Sequence, residues 1–271
     1  NIRSDNAQGE YYLTDCIGLA AAEQRPVEAV VADDPDELLG ANDRAQLAQL
    51  EQVFQRRARE TLMAAGVTLL APETVNIRGH IEVETDVVLE GQVTLEGSVF
   101  LGAGVKIGQG CVVRDSSLAP GTCLEPYCVI EGVQTTGACS VGPFARLRPG
   151  TELESGVKIG NFVEVKKSRF GRDAKASHLS YIGDASVGAG ANLGAGTITC
   201  NYDGVNKHRT TIGAGAFVGS NSALVAPVDI GEGATIGAGS VIAKNAPPDQ
   251  LTLSRGLQRS ISGWQRPKKK S

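Results

Sequence analysis

Ile212-Gly213-Ala214-Gly215-Ala216-Phe217-Val218-Gly219-Ser220-Asn221-Ser222-Ala223-Leu224 begins a run in which an aliphatic residue returns every sixth position: Ile212, Val218, Leu224, Ile230, Ile236 and Ile242. Gly213, Gly219, Gly231 and Gly237 follow four of these directly. An earlier run keeps the same beat at Val83, Leu89, Leu95, Leu101, Ile107 and Val113. Two residues before each stand Ile81, Val87, Val93, Val99, Val105 and Cys111. Residues two apart share one face of a strand, so each repeat supplies a short strand with one aliphatic side.

A six-residue period fits neither an amphipathic helix nor a hairpin meander, because it delivers two or three strand residues and then a turn, over and over. It predicts a parallel β-helix from about Val75 to Ile242. Aliphatic side chains point inward, the glycine or small polar residue after each takes the tight corner, and stacked coils share backbone hydrogen bonds. Ala216, Ser222, Ala234 and Ser240 are expected to fill the narrow interior beside the large residues. Roughly nine coils would make a prism about 45 Å long at a rise of about 4.8 Å. The glycine-aliphatic hexads resemble those of the hexapeptide-repeat acyltransferases, whose helix is left-handed, whereas the general crossover rule favours the right hand. The expected fold is therefore all-β: a left-handed parallel β-helix of hexapeptide repeats, preceded by a long connector α-helix and a small α/β remnant.

The 271 residues suffice for a large core in one or two domains. A net charge of −4 gives no electrostatic case for nucleic-acid binding, and the basic run at Lys268, Lys269 and Lys270 reads as a solvated tail. No apolar run reaches the length of a membrane span and no signal-peptide pattern opens the chain, so a cytoplasmic protein is expected. Cys16, Cys111, Cys123, Cys128, Cys139 and Cys200 form no CxxC pair and have no zinc-ligand spacing with histidine. They read as reduced, mostly small apolar fillers of the coil.

Residues 1–44 do not repeat, start without methionine, and are too few for a core of their own; they read as the remnant of a larger domain cut upstream. A short helix is expected over 15–22 and a strand near 27–31. Residues 42–65 read as one amphipathic helix with Leu47, Leu50, Phe54, Ala58 and Leu62 on one stripe, closed by Gly66. The expected divisions are thus 1–44, a connector at 45–66, the β-helix at 67–246 and a tail at 247–271. Pro120, Pro126 and Pro143 fit corners, where a backbone donor can be spared. The large break is the polar, glycine-bearing loop Thr199-Cys200-Asn201-Tyr202-Asp203-Gly204-Val205-Asn206-Lys207-His208-Arg209, a place to look for function because solenoid coils need no such excursion.

Between 143 and 201 the chain becomes dense in reactive side chains. It carries Gly142-Pro143-Phe144-Ala145-Arg146-Leu147-Arg148-Pro149-Gly150, then Gly160-Asn161-Phe162-Val163-Glu164-Val165-Lys166-Lys167, then Ser177-His178-Leu179-Ser180-Tyr181-Ile182-Gly183-Asp184, then Gly194-Ala195-Gly196-Thr197-Ile198-Thr199-Cys200-Asn201-Tyr202-Asp203-Gly204. Arg148, Lys166, His178 and Tyr181 lie 18, 12 and 3 residues apart. With three hexads per coil, the first two gaps bring distant residues onto neighbouring coils.

These four strings, in this order, resemble the acetyltransferase domain of the bacterial bifunctional N-acetylglucosamine-1-phosphate uridyltransferase/glucosamine-1-phosphate N-acetyltransferases. Generic hexapeptide acyltransferases lack the first and last of them. Asn6-Ala7-Gln8-Gly9-Glu10-Tyr11-Tyr12 and Asn42-Asp43-Arg44 resemble the end of that family's uridyltransferase domain. The resemblance implies acetyl transfer from acetyl-CoA to the amine of glucosamine 1-phosphate, with His178 as the general base; a histidine suits this, since its usual pKa leaves neutral imidazole at cytoplasmic pH. Glu164 is a candidate to orient that ring. Arg148 and Lys166 match family ligands of the sugar phosphate, where a guanidinium forks onto two oxygens and an ammonium adds a point charge. Tyr181, Asn192 and Asn201 match further sugar-phosphate contacts. Ala195, Ser220 and Ala238 match small residues along which the pantetheine arm lies, Arg255 the cation near the coenzyme's nucleotide end, and Tyr202 and Lys207 further coenzyme positions. The amine attacks the thioester directly, through an oxyanion a backbone N–H can stabilise, so no acyl-enzyme and no Cys200 nucleophile are needed. The resemblance also implies a homotrimer with sites between subunits. It assigns Mg²⁺ to the uridyltransferase half alone, where Asn42 matches one metal contact; a single ligand cannot hold octahedral Mg²⁺. This chain, without the family's glycine-rich nucleotide loop, is expected to acetylate and not to uridylylate.

Two rivals stand beside this reading. A γ-type carbonic anhydrase also uses a hexapeptide helix, with zinc on histidines across an interface, but His80, His178 and His208 contain no closely spaced pair. Another hexapeptide acyltransferase, acting on a different sugar nucleotide or on serine, shares the fold, and the fold does not separate acceptors.

Overall fold

The structure is a computed structural model and describes residues 2–266. Lys268, Lys269 and Lys270, expected as a solvated tail, lie outside the described residues. The chain divides into two compact units, Asn1–Val53 and Phe54–Ser271.

In the first unit α1 (Asp15–Ala22) forms where the sequence predicts it. The strand expected near 27–31 does not: that segment has no regular structure, and Val30 and Val31 are 95% and 87% exposed. β-branched residues favour a strand only where a neighbouring strand and a buried face reward it, and the first strand of the described residues is Thr68–Leu69. The α/β expectation for this stretch is corrected to α1 plus a single 3₁₀ turn, Pro35–Leu38.

Helix α2 (Arg44–Ala64) runs unbroken for 21 residues, about 31 Å at the usual rise. Asp43 starts it by accepting from the Gln46 N–H at 2.8 Å, while the Gln46 side chain accepts from the Asn42 N–H at 2.6 Å. Gly66, at φ +93°, ends it, with Val67 N–H donating back to the Leu62 carbonyl at 3.0 Å.

The expected apolar stripe is not the buried one. Leu62 is buried, but Leu47 and Phe54 are about half exposed, and the other buried side chains are Gln55 and Arg59. The reason lies in what a β-helix offers at its end, namely unpaired strand amides and carbonyls. Gln55 donates to the Ile77 carbonyl and accepts from the Ile77 N–H, both at 2.8 Å, so its side-chain amide stands in for a missing strand. Arg59 donates to the Val75 carbonyl at 3.3 Å and pairs with Glu73.

From Val67 onward the chain winds as a three-sided parallel solenoid. One face is an eleven-strand ladder that starts at Thr68–Leu69 and ends at Leu251–Thr252; the other two faces form one seventeen-strand sheet bent round a corner. Ten steps at about 4.8 Å give about 48 Å, one or two coils more than the roughly nine expected. Each face sends one row of aliphatic residues inward. Leu89, Ile107, Leu124, Val141 and Ile159 follow one another in register on the first face, all at 1% exposure or less. Ala216, Ser222, Ala234 and Ser240 are buried as small fillers, as expected.

Coils are not uniformly three hexads. Lys158 pairs with Lys175 and Lys175 with Asn192, steps of 17 residues, where Ser140 pairs with Lys158, a step of 18. The missing residue is at one corner. Arg146 to Glu152 spans six positions, but their partners one coil on, Glu164 and Arg169, are five apart. Lys167, at φ +45°, takes that tighter turn.

The glycines that follow the aliphatic residues also act differently from expectation. They do not turn the corner; the left-handed positions are two residues later, at Gly215, Asn221, Gly233 and Gly239. Gly213 and Gly219 are required by proximity instead, since a Cβ would sit 2.4 Å from the Glu232 nitrogen and 2.5 Å from the Ala238 nitrogen of the next coil.

Pro120, Pro126 and Pro143 do lie in turns. Cys111, Cys128 and Cys139 are buried fillers, Cys123 and Cys200 are half-buried and Cys16 is exposed; all six are free. Burial pushes the Cys139 thiol up to about 11, so it carries little thiolate. Among the described residues no helix is long and apolar enough to cross a membrane.

Candidate active site

The strand Lys175–His178 lies on the eleven-strand face directly above Lys158–Asn161, and Asn161 is in register with His178. The two side chains meet: His178 Nδ1 is 2.7 Å from Asn161 Oδ1. An amide oxygen only accepts, so Nδ1 is the donor in this contact, and in the neutral ring Nε2 is then the nitrogen with the lone pair. The 17-residue step selects Asn161. Glu164, expected to orient the ring, stands instead opposite Tyr181 on the adjacent face and accepts from Arg148 Nη1 at 2.9 Å. That expectation is corrected: the carboxylate serves the guanidinium, and the amide serves the imidazole.

The same line continues up the corner. Lys175↔Asn192 and Tyr181↔Ile198 both step by 17, which sets Ala195 above His178. Asn192↔Phe217 and Ile198↔Ala223 step by 25, which sets Ser220 above Ala195; the next pairs, Phe217↔Thr235 and Ala223↔Val241, set Ala238 above Ser220. Backbone bonds tie the column, from Asn221 N–H to the Ala195 carbonyl at 2.7 Å and from Gly239 N–H to the Ser220 carbonyl at 2.8 Å. Arg255 donates to the Ala238 carbonyl at 3.0 Å. The imidazole therefore stands at the foot of a shelf of small side chains with a guanidinium at its far end.

Round the corner, three residues from His178, the strand Tyr181–Gly183 begins. Ser180 Oγ pins the turn by donating to the His178 carbonyl at 2.8 Å. On this face Leu147↔Val165 and Lys166↔Gly183 put Arg148, Lys166 and Gly183 in one column. The Tyr181 hydroxyl lies over Gly183, where a Cβ would come within 2.5 Å of it and within 2.8 Å of Asn201 Nδ2. Asn201 is buried and donates to the Tyr181 hydroxyl at 3.4 Å and to Asp184. The excursion after Cys200 folds as a hairpin, Tyr202 bridging Lys207, and returns Lys207 to Lys166. The Lys207 ammonium facing it holds the Lys166 ammonium below the usual lysine range, with Arg148 adding to the effect and Asp184 opposing it. Cations that repel one another are relieved by an anion between them, so this group has the chemistry to receive one.

Of the expected site residues, the structure brings together Arg148, Lys166, Tyr181, Asn201 and Lys207 on one face. It aligns His178, Ala195, Ser220, Ala238 and Arg255 along the adjoining corner. Asn192 sits on the His178 face, opposite Lys175, rather than with the cations. The Tyr202 hydroxyl is engaged inside its own hairpin, donating to the Gly204 carbonyl. Asn42 is exposed, and among the described residues no group of three or more His, Cys, Asp or Glu is arranged to hold a metal, so the residues present do not fit a Mg²⁺ site. Each histidine has a different partner: His80 has Glu82, His178 has Asn161 and His208 has Asp203. Asn161, Asp184 and the Asp203–His208 pair escaped the sequence reading. For Asn161 the available signal was the 17-residue step back from His178.

A family model described as bacterial transferase hexapeptide (six repeats) matches residues 209–244. The chain is 58% identical over 269 residues to the bifunctional protein GlmU of Xanthomonas campestris pv. campestris (strain B100), covering 99% of this chain and 59% of that protein. It is 55% identical over 270 residues to the bifunctional protein GlmU of Stenotrophomonas maltophilia (strain K279a), covering 100% of this chain and 59% of that protein. The chain thus spans about three fifths of the length of the curated relatives it matches. Among solved structures, the UDP-N-acetylglucosamine acyltransferase from Campylobacter jejuni is similar at 16% identity and a TM-score of 0.46, over 58% of this chain and 67% of that one, too distant a likeness to bear on function.

Proposed function

The chain belongs to the hexapeptide-repeat transferases of the GlmU type, and from that premise we propose that its solenoid transfers an acetyl group from acetyl-CoA to the amine of glucosamine 1-phosphate. The observation that carries this reading is the oriented His178–Asn161 pair, one corner away from the cations Arg148, Lys166 and Lys207. In the proposed reaction His178 Nε2 accepts a proton from the sugar amine as nitrogen attacks the thioester carbonyl. The C–N bond forms, the tetrahedral intermediate collapses with loss of the C–S bond, and the imidazolium returns its proton to the departing coenzyme A thiolate. Arg148, Lys166, Tyr181 and Asn201 hold the phosphate of the acceptor, and Asn192, on the His178 face, meets its sugar. Ala195, Ser220 and Ala238 form the coenzyme shelf, with Arg255 and Tyr202 toward its phosphates, while Lys207, which the family resemblance gives to the coenzyme, stands with Lys166. No cysteine nucleophile is required.

A cytoplasmic reaction is part of this proposal. His178 is exposed in the single chain and Arg148 and Glu164 are each about a third exposed, which favours an active homotrimer whose neighbouring subunit closes the site. Uridyl transfer with Mg²⁺ belongs, in this proposal, to the intact relatives' length beyond the three fifths matched here.

The test is coenzyme A release with acetyl-CoA and three acceptors: glucosamine 1-phosphate, glucosamine 6-phosphate and serine. Turnover is expected with the first alone; equal turnover with serine would remove the phosphate site from the mechanism. Replacing Asn161 with alanine should lower kcat about ten- to a hundredfold and leave KM for glucosamine 1-phosphate nearly unchanged, because a hydrogen bond to a charged group contributes about 1.5–3 kcal/mol and the proposed proton transfer places that charge on the imidazole in the transition state. A raised KM with normal kcat would assign Asn161 to substrate binding instead.

A further inference from the structure

The hairpin that carries Lys207 has few apolar contacts of its own; Tyr202 and Val205 are 59% and 83% exposed. What closes it is one carboxylate. Asp203 Oδ1 accepts from the Val205 N–H at 2.8 Å and the Asn206 N–H at 2.6 Å, while its Oδ2 takes His208 Nε2 at 2.7 Å. Asp203 N–H donates to the Asn206 carbonyl at 3.1 Å, and His208 N–H to the Asn201 carbonyl at 2.8 Å. His208 with the two amides holds the Asp203 carboxyl well below the usual carboxylate range, as expected of a group committed to three donors. Lys207 bridges Tyr202, the neighbour of Asn201, and Asn201 with the Tyr181 hydroxyl lies over Gly183, the residue in register with Lys166; because His208 follows Lys207 directly, the pair fixes the backbone that carries the Lys207 ammonium to Lys166.

Two ammonium groups side by side repel, and a loop free to move would relieve that repulsion by swinging one of them away. A loop held shut leaves an anion as the remaining source of relief. We propose that Asp203 and His208 are positioning residues whose pair latches the 200–209 hairpin and keeps Lys207 against Lys166, so that the two ammonium groups together grip a substrate phosphate. The inference rests on the acyl-transfer reading for the identity of the substrate, but not for the existence of the anion grip.

The experiment uses His208→Leu, which cannot donate to Asp203, and His208→Gln, whose side-chain amide can. Hydrogen exchange on the substrate-free protein reads the latch. In His208→Leu the Val205, Asn206 and His208 amides should exchange at least about tenfold faster, while the coils at 88–107 keep their rates and thereby report an intact fold. Inorganic phosphate reads the grip: it should slow acetylation of Lys207 by acetic anhydride in the parent protein and in His208→Gln, and fail to do so in His208→Leu. Steady-state kinetics then identify the phosphate. A KM for glucosamine 1-phosphate raised about tenfold at unchanged kcat assigns it to the acceptor, and a raised KM for acetyl-CoA assigns it to the coenzyme. Failure of turnover with every acceptor would sink the acyl-transfer reading yet leave the exchange and protection results standing. Unchanged exchange in His208→Leu, or faster exchange with phosphate protection intact, would overturn the latch.

Discussion

Replacing His178 with alanine is expected to lower kcat for acetyl transfer to glucosamine 1-phosphate by at least about 10²-fold, the low end for loss of a general base, with KM for both substrates within a few-fold of the parent value. The argument is geometric. The imidazole is aimed by Asn161 at its Nδ1 side, which leaves Nε2 as the basic atom, and the cations Arg148, Lys166 and Lys207 sit on the next face. Deleting the ring removes the proton acceptor and leaves both binding surfaces in place, so the loss belongs in kcat. An amine buffer of low molecular weight should restore part of the rate by taking the proton from solution. His178→Ala turning over within about threefold of the parent would remove the base from the mechanism, and a loss confined to KM would make His178 a ligand.

Much of this was legible because a six-residue period has one physical solution: Ile212, Val218 and Leu224 have to point the same way, and only a triangular coil lets them. The period did not reveal its own exception. The corner at Lys167 closes one residue early, and that single residue sets Asn161 rather than Gly160 opposite the imidazole, while Glu164 stands on the next face opposite Tyr181. A sequence read in strict hexads therefore mispairs the site while getting the fold right. The α2 stripe failed for a different reason, since apolar periodicity anticipates an apolar partner and the open end of a ladder is polar, which favoured Gln55 and Arg59. The residues at 27–31 had strand composition without a strand to join. As for the hairpin, its polar composition marked it as a place for function, but the Asp203–His208 contact across five residues is a product of its fold and carries no period to detect.

The second large effect should come from a residue that touches no substrate. Phe170 is fully buried, the bulkiest of the fully buried side chains, stacked between Leu153 and Val187 in the coil that also carries Lys166 and His178. Phe170→Ala should destabilise the protein by about 3–5 kcal/mol, the sum of lost transfer energy and a cavity that the neighbouring coils cannot collapse into. In a solenoid each coil is held only by the coils on either side, so the loss should also be local before it is global. Amides of the strands Thr151–Leu153, Arg169–Phe170 and Ala185–Val187 should lose exchange protection well before those of Val88–Leu89 and Lys106–Ile107, which lie several coils away. Phe170→Leu, which fills most of the space, should cost far less, about 1 kcal/mol. Because the loosened coil supplies Lys166 below the cavity in sequence and His178 above it, kcat/KM should fall in Phe170→Ala even at temperatures where the chain is still folded, and recover in Phe170→Leu. Urea unfolding with exchange read by mass spectrometry decides the matter. Protection lost evenly along the whole column would mean that the solenoid unfolds as one block, and the site's rigidity would then depend on every coil rather than on the one that carries it.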